Sequence, residues 1–282
     1  ESESRGLGDV YKRQANTTGG QNVAVGDDAL GANTTAPYNV AIGTNALAVN
    51  TTGNLNTAVG SFSLDANTVG DRNVAVGYQA LTTFNPSSNA DTYNVAVGGV
   101  ALKNLTTGTL NTAVGGQAME LATTGGSNTA MGYGALNANT TGANNVAVGT
   151  GALDANTTAA DNTAIGTNSL GANTTGANNV SVGSACLIAN TTGASNVGVG
   201  KGTLAANTTA SNNTAVGFLA LLSNTTGSSN VAVGASALDA NTTASANTAI
   251  GVSALTTNTT GGSNTAVGTH ALLLNTTGTG LS

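Results

Sequence analysis

The chain has 282 residues with a net charge of −6, and charged residues make up only 6% of it. That fraction is far below the roughly 25% of ordinary soluble domains, and 40 glycines with only 2 prolines suit closely spaced turns better than a proline-rich linker. Six Lys and Arg in the whole chain leave no basic patch for nucleic acid or anionic lipid, and no apolar run is long enough for a membrane-spanning helix.

Residues 1–14 (Glu1 to Gln14) stand apart from everything downstream. They hold three acids and three bases, so the remainder carries nine acids against three bases. The run Ser4-Arg5-Gly6-Leu7-Gly8-Asp9-Val10-Tyr11-Lys12-Arg13-Gln14 resembles a translated sequencing-adaptor scar, and it is set aside as a non-native leader. On that reading Ala15-Asn16-Thr17-Thr18-Gly19 is the tail of a unit whose start is lost, and residues 15–282 are a repeat array cut from a longer protein.

From Asn22 a unit of 17 residues recurs fifteen times: Asn-(Val/Thr)-Ala-(Val/Ile/Met)-Gly-x-x-Ala-Leu-x-x-Asn-Thr-Thr-(Gly/Ala)-x-x. The first Asn falls at Asn22, Asn39, Asn56 and Asn73, then at Asn94, Asn111 and onward to Asn264, with a single spacing of 21 between Asn73 and Asn94. Such regularity predicts an all-β parallel β-solenoid of about fifteen coils, each unit in the environment of its neighbours. Seventeen residues cannot hold two helices, and the Gly, Asn and Thr content opposes helix.

Within a unit, Asn145-Val146-Ala147-Val148-Gly149 reads as a short strand closed by a turn. Val146 and Val148 share one face and Ala147 the other. The invariant glycine, at Gly26, Gly43, Gly60, Gly77, Gly98, Gly149 and Gly166 among others, is the predicted turn residue. Ala-Leu follows as a second apolar spot, and Asn-Thr-Thr reads as a second extended stretch. A single unit cannot fold alone: ordering costs roughly 1–2 kcal/mol per residue. One buried Leu and two buried β-branched side chains return about 1.5–3 kcal/mol each, so stacking must supply the rest. The recurring first Asn is expected inside, bonded to backbone or to its own column.

The sixth, seventh and tenth positions vary and are expected to face outward. They include Tyr78, Tyr133, Phe218 and Lys201, then Phe62 and His270, then Asp65, Asp154 and Glu120. The unit with surplus residues absorbs them at Phe84-Asn85-Pro86-Ser87-Ser88-Asn89, a four-residue insertion read as one bulging loop. Tyr78, Phe84, Asn85, Tyr133 and Phe218 are therefore the candidate contact surface.

Candidates for chemistry are sparse. His270 is the only histidine, Cys186 the only cysteine, and Asp27-Asp28 the one adjacent acidic pair. Cys186 replaces the repeat's Ala and is expected to be a small buried hydrophobe. No zinc site, triad or phosphate loop follows from these residues, and the acids do not recur at fixed positions as a calcium roll would require. The chain is read as a non-enzyme with no cofactor.

The segment Val40-Ala41-Ile42-Gly43-Thr44-Asn45-Ala46 resembles the head repeat of YadA-like trimeric autotransporter adhesins. The longer form Asn-Thr-Ala-Val-Gly…Ala-Leu…Asn-Thr-Thr-Gly is also similar to repeat regions of phage tail fibres and bacterial surface proteins. The resemblance implies a left-handed β-roll, association of three chains, and an extracellular, cell-surface or virion location. It implies contact with a host receptor or glycan, or a spacer role. Two other readings are open: an ice-binding solenoid that uses a single-file threonine row from Asn-Thr-Thr, and a purely structural filament subunit.

Overall fold

The computed structural model describes residues 16–282; the leader at 1–14 lies outside the described residues. The chain divides into two units, one ending at Thr141 and one running Gly142–Ser282. The first holds β1 (Val23–Val25), β2 (Val40–Ile42), β3 (Thr57–Val59), β4 (Val74–Val76), β5 (Val95–Val97), β6 (Thr112–Val114) and β7 (Thr129–Met131). The second holds β8 (Val146–Val148), β9 (Thr163–Ile165), β10 (Val180–Val182), β11 (Val197–Val199), β12 (Thr214–Val216), β13 (Val231–Val233), β14 (Thr248–Ile250) and β15 (Thr265–Val267). Within each unit consecutive strands pair in parallel and in register, as in Val40↔Thr57 and Ala41↔Ala58, or Val197↔Thr214 and Gly198↔Ala215. The fold is an all-β parallel β-solenoid with one repeat per coil.

Each coil has one strand, not two. Asn-Thr-Thr forms bends, although its backbone still joins the stack: the Thr51 and Thr52 N–H groups both donate to Thr68 O, at 2.9 and 3.2 Å. The first threonine hydroxyl follows the same path, Thr51 Oγ1 reaching Thr68 O at 3.1 Å. One carbonyl of the next coil thus accepts from two backbone N–H groups and a hydroxyl, which ties these bends into the stack.

The burial of the strand is the reverse of the expected one. The central Ala41, Ala58, Ala75 and their equivalents in later coils are buried, whereas the flanking Val, Thr and Ile side chains are half-buried or exposed. A short coil leaves little depth. At Gly198, where the inward residue is glycine, an added Cβ would meet Cys186 Sγ at 2.6 Å and Leu187 Cδ1 at 3.5 Å. The inward strand position thus packs against the eighth and ninth residues of the preceding coil, where a methyl group fills the space. The β-branched pair has to turn out.

Leu at the ninth position provides the bulk of the core and is fully buried in coil after coil, for example Leu47, Leu64, Leu153 and Leu187. It does so in a left-handed backbone, with φ of 51° at Leu47 and 52° at Leu153. That conformation costs an L-residue roughly 1–2 kcal/mol. Burial worth about 1.5–3 kcal/mol offsets it, and turn bonds hold it in place: Asn50 N–H donates to Leu47 O at 3.3 Å, and Leu47 N–H donates to Ser63 O of the next coil at 3.0 Å.

Asparagine closes the coil at two points. Asn39 Nδ2 and Asn50 Nδ2 both donate to Gly53 O, at 2.9 and 2.8 Å. In the second unit Asn179 and Asn190 do the same to Gly193 O, each at 2.9 Å. The first-position Asn also accepts from the next coil, Asn56 N–H reaching Asn39 Oδ1 at 2.9 Å. The twelfth-position Asn builds a side-chain ladder, as in Asn190 Nδ2 to Asn173 Oδ1 at 2.9 Å. Among the described residues no buried side-chain nitrogen or oxygen lacks a partner.

The turn glycines have φ from +128° at Gly166 to +142° at Gly183. A Cβ on Gly166 would lie 2.6 Å from Gly183 C and 2.7 Å from Gly183 O, so backbone of the next coil occupies the space. Gly166→Ala is expected to lower stability by at least about 2 kcal/mol in urea unfolding. Gly99→Ala, where an added Cβ meets nothing within 4 Å, is the control and should unfold like the parent. Equal midpoints for the two variants would contradict this account.

Candidate functional site

Three outward surfaces carry the chemistry of the array. The strand face comes first. Its fourth-position column is aliphatic or Met throughout, and none of the fifteen strands contains a charged residue. Val25, Ile42, Met131, Ile165 and Ile250 are exposed members of it. The second-position column beside it alternates between Val and Thr.

The second surface is the sixth-position column. Tyr78, Tyr133 and Phe218 are 56%, 60% and 53% exposed. Phe62 meets Tyr78 edge-on, with ring centroids 6.2 Å apart and an interplanar angle of 88°. Between Tyr78 and Tyr133 the column holds only Gly99 and Gly116, and the Tyr133 ring leans over Gly116, 3.5 Å from where a Cβ would stand. Tyr78 and Tyr133 share one unit, and Phe218 belongs to the other.

Phe84 does not belong on any surface. It is fully buried, in the twelfth position where regular coils place the ladder Asn. The next two coils put Leu105 and Ala122 there, also fully buried. The ladder that runs through Asn33, Asn50 and Asn67 is therefore replaced by three apolar residues. Asn85 is exposed, but its Oδ1 accepts from Thr68 Oγ1 at 2.7 Å and Thr68 N at 3.3 Å. It thereby takes over the role of the carbonyl that the insertion carries away. At the far end of the loop Thr92 Oγ1 donates to Asp71 O at 2.8 Å and Asn73 Oδ1 at 2.9 Å. Ser87, Ser88, Asn89, Ala90 and Asp91 between these anchors are exposed.

The third surface escaped the reading of the sequence. The last position of the unit carries Tyr38, Leu55, Arg72, Tyr93 and Leu110 in five successive coils of the first unit. Tyr38, Leu55, Tyr93 and Leu110 are 55%, 41%, 47% and 55% exposed. The backbone is left-handed at each, with φ from 50° at Tyr93 to 63° at Tyr38. Arg72 Nε donates to Asp91 Oδ1 at 2.6 Å, its guanidinium lies 5.7 Å from the Tyr93 ring centroid, and the Tyr93 hydroxyl bonds Asp91 Oδ2 at 3.3 Å. In the second unit the same column is Asn144, Asp161, Asn178, Ser195, Asn212, Ser229, Ala246 and Ser263. The signal was present in the sequence as five large side chains at the repeat spacing.

Reactive groups do not gather. His270 is exposed and Cys186 is fully buried, with burial pushing its thiol pKa up. Cys186 sits among compensating neighbours: Ser181 Oγ donates to Cys186 O at 2.9 Å, and Ser169 Oγ bonds Ser181 Oγ at 2.6 Å. Among the described residues no group of three or more His, Cys, Asp and Glu is placed to hold a metal ion, and no helix is long and apolar enough to cross a membrane.

Three acids of the tenth position share an electrostatic signature. Partial burial raises the pKa of Asp65, Asp154 and Asp239, and burial together with the charge of Asp91 raises that of Asp71 against the pull of Asn54 and Arg72. A carboxyl whose folded pKa exceeds its unfolded value holds its proton more firmly when folded. Stability is therefore expected to rise as pH falls from 7 toward about 4, and to be lost again as pH rises through the folded pKa values. Thermal unfolding across that range is the measurement; a melting temperature that falls steadily with acid would refute it. The chain matches no protein-family model and no curated protein sequence.

Proposed function

We propose that the array is a structural and adhesive segment of an extracellular fibre, of the kind found in bacterial surface adhesins or phage tail fibres. Its copies associate through the outward strand face, as a homotrimer, and present the remaining surfaces to a host receptor or glycan. The observation that carries this reading is the fourth-position column: aliphatic in every strand but one, Met in that one, and left half-covered or exposed. A large exposed apolar surface on a lone chain is an association site or an aggregation hazard.

A second copy of the same chain is the occupant that suits it. Its columns repeat at the same spacing of about 4.8 Å, so each Val or Ile of one copy finds an equivalent groove along the other. The eight strands of the second unit alone present two outward side chains each, which approaches the ~20–30 residues a side of a standard interface. The resemblance to trimeric adhesin heads supplies the number three.

Ice binding is the second reading, and one observation favours it. In the second unit Thr158, Thr175, Thr192, Thr209, Thr226, Thr243, Thr260 and Thr277 are all exposed, one per coil. The companion threonines spend their hydroxyls inside the stack, as Thr174 Oγ1 does on Thr191 O at 3.1 Å. A single-file row offers a narrow match to a crystal surface, so association remains the stronger reading.

Light scattering on residues 15–282 is expected to give three times the chain mass, and Val182→Lys with Val199→Lys to give monomer with an unchanged circular-dichroism spectrum. A parent that stays monomeric at high concentration would overturn the association. Thermal hysteresis is expected to be absent at high protein concentration; a measurable gap between freezing and melting points would transfer the proposal to ice.

A further inference from the structure

We propose that the stripe Tyr38, Leu55, Arg72, Tyr93 and Leu110, with the adjoining loop 85–91, is a binding site for a neutral, hydroxyl-rich glycan chain. The inference rests on the presentation reading above but not on the oligomeric state.

Size selects the class of ligand. Half-exposed side chains of this kind offer on the order of 100 Å² each, so the stripe offers roughly 500 Å², short of the ~800 Å² per partner that a stable protein interface buries. It is one side chain wide and, at about 4.8 Å per coil, nearly 20 Å from Tyr38 to Leu110. An extended, narrow ligand fits these dimensions, and a globular partner does not.

The polar groups select its chemistry. A pyranose presents an apolar ring face flanked by hydroxyls, which suits an aromatic ring beside planar hydrogen-bonding groups. Tyr38 and Tyr93 supply exposed rings three coils apart. Between them Arg72 is held by Asp91 and stacked on Tyr93, so its remaining N–H groups are donors in a fixed place. Asp91 supplies acceptors, and Ser87, Ser88 and Asn89 add exposed hydroxyl and amide groups. Asp71 and Asp91 outnumber Arg72, so an anionic glycan would meet net repulsion.

The site is also held ready. The loop is anchored at Asn85 on Thr68 and at Thr92 on Asp71 and Asn73, and Asn85 N–H donates to Thr106 O at 2.9 Å. Ordering is thus supplied by the fold before any ligand arrives.

The experiment is binding of residues 15–282 to an immobilised array of neutral hexose and N-acetylhexosamine oligosaccharides alongside sialylated and sulfated ones, with tyrosine fluorescence titration of any binder in solution. Binding to neutral chains is expected, weakened about tenfold or more by Tyr38→Ala with Tyr93→Ala, weakened by Arg72→Ala, and unchanged by Ser229→Ala in the same column of the second unit. Circular dichroism checks that each variant is folded. No binding to the array, preference for acidic glycans, or binding indifferent to the two tyrosines would overturn the proposal, as would stripe-dependent capture of a protein without glycan. Light scattering on the same samples separates the two ideas: a monomer that binds glycan leaves this site standing, and a trimer that binds none removes it while sparing the assembly.

Discussion

In each regular coil two asparagine side chains, from the first and twelfth positions, converge on one main-chain carbonyl at the fifteenth, as Asn39 and Asn50 do on Gly53. A carbonyl has two lone pairs, and both are used. The same asparagines then bond to the coils before and after them, so closure of one coil and registry between coils are a single network. In a dry interior each such bond is worth more than in water, and each missing one costs about 1–3 kcal/mol. The array tolerates little change at these two positions for that reason.

Tight closure has a consequence on the outside. A coil drawn in by two Asn bonds has room for one Leu and two small residues, so the strand turns its methyl side inward and its branched side outward. A larger coil would bury its valines and present polar residues to solvent, as an ordinary half-buried strand does. Here the core is saturated by Ala, Leu and Asn, and the aliphatic columns have no partner within their own coil. The exposed apolar face is thus a product of how the coil closes, and it is the reason for reading the chain as one that associates.

Much of this was legible in the sequence. The period gives the coils, the invariant glycine their turn, and the recurrent Asn a hydrogen-bonded interior column, while the second strand expected in each coil is absent. Alternation in Val-Ala-Val showed which residues share a face but not which face is inside, because that depends on the depth of the coil. A β-branched pair flanking Ala reads the same either way. Asn-Thr-Thr has an extended composition, yet it forms bends in which one carbonyl of the next coil accepts from two backbone N–H groups and a hydroxyl. Nothing local marks Leu for a left-handed backbone, a conformation imposed by the coil around it. The Pro and Ser of the insertion mark a surface loop and hide that Phe84 aligns with the ladder Asn. The column from Tyr38 to Leu110 carries large side chains in the first unit only, so variation along the whole array does not single it out.

The burial of Phe84 has its physical origin in the insertion. The longer coil sends its backbone outward after Asn85, and Asn73 Nδ2 bonds Asp71 O at 3.1 Å instead of a carbonyl of its own coil. An asparagine in place of Phe84 would face a coil whose closing carbonyl has moved, so an apolar residue is the less costly occupant. Once Phe84 breaks the ladder, an Asn at the next coil loses a neighbour to bond, and the advantage of an apolar residue passes to Leu105 and then Ala122. The closing carbonyls Gly108 O and Gly125 O are still served there by Asn94 and Asn111, at 2.9 Å each. One coil edit thus propagates through three and stops. The interior around the insertion is fully rebuilt and satisfied, with its outer side left free to carry Arg72, Asp91 and the tyrosines. A drifting insertion would be expected to leave unsatisfied groups or a cavity beneath it. Among the described residues no buried polar side-chain atom lacks a partner, so the altered coils leave no side-chain nitrogen or oxygen unpaired in the interior.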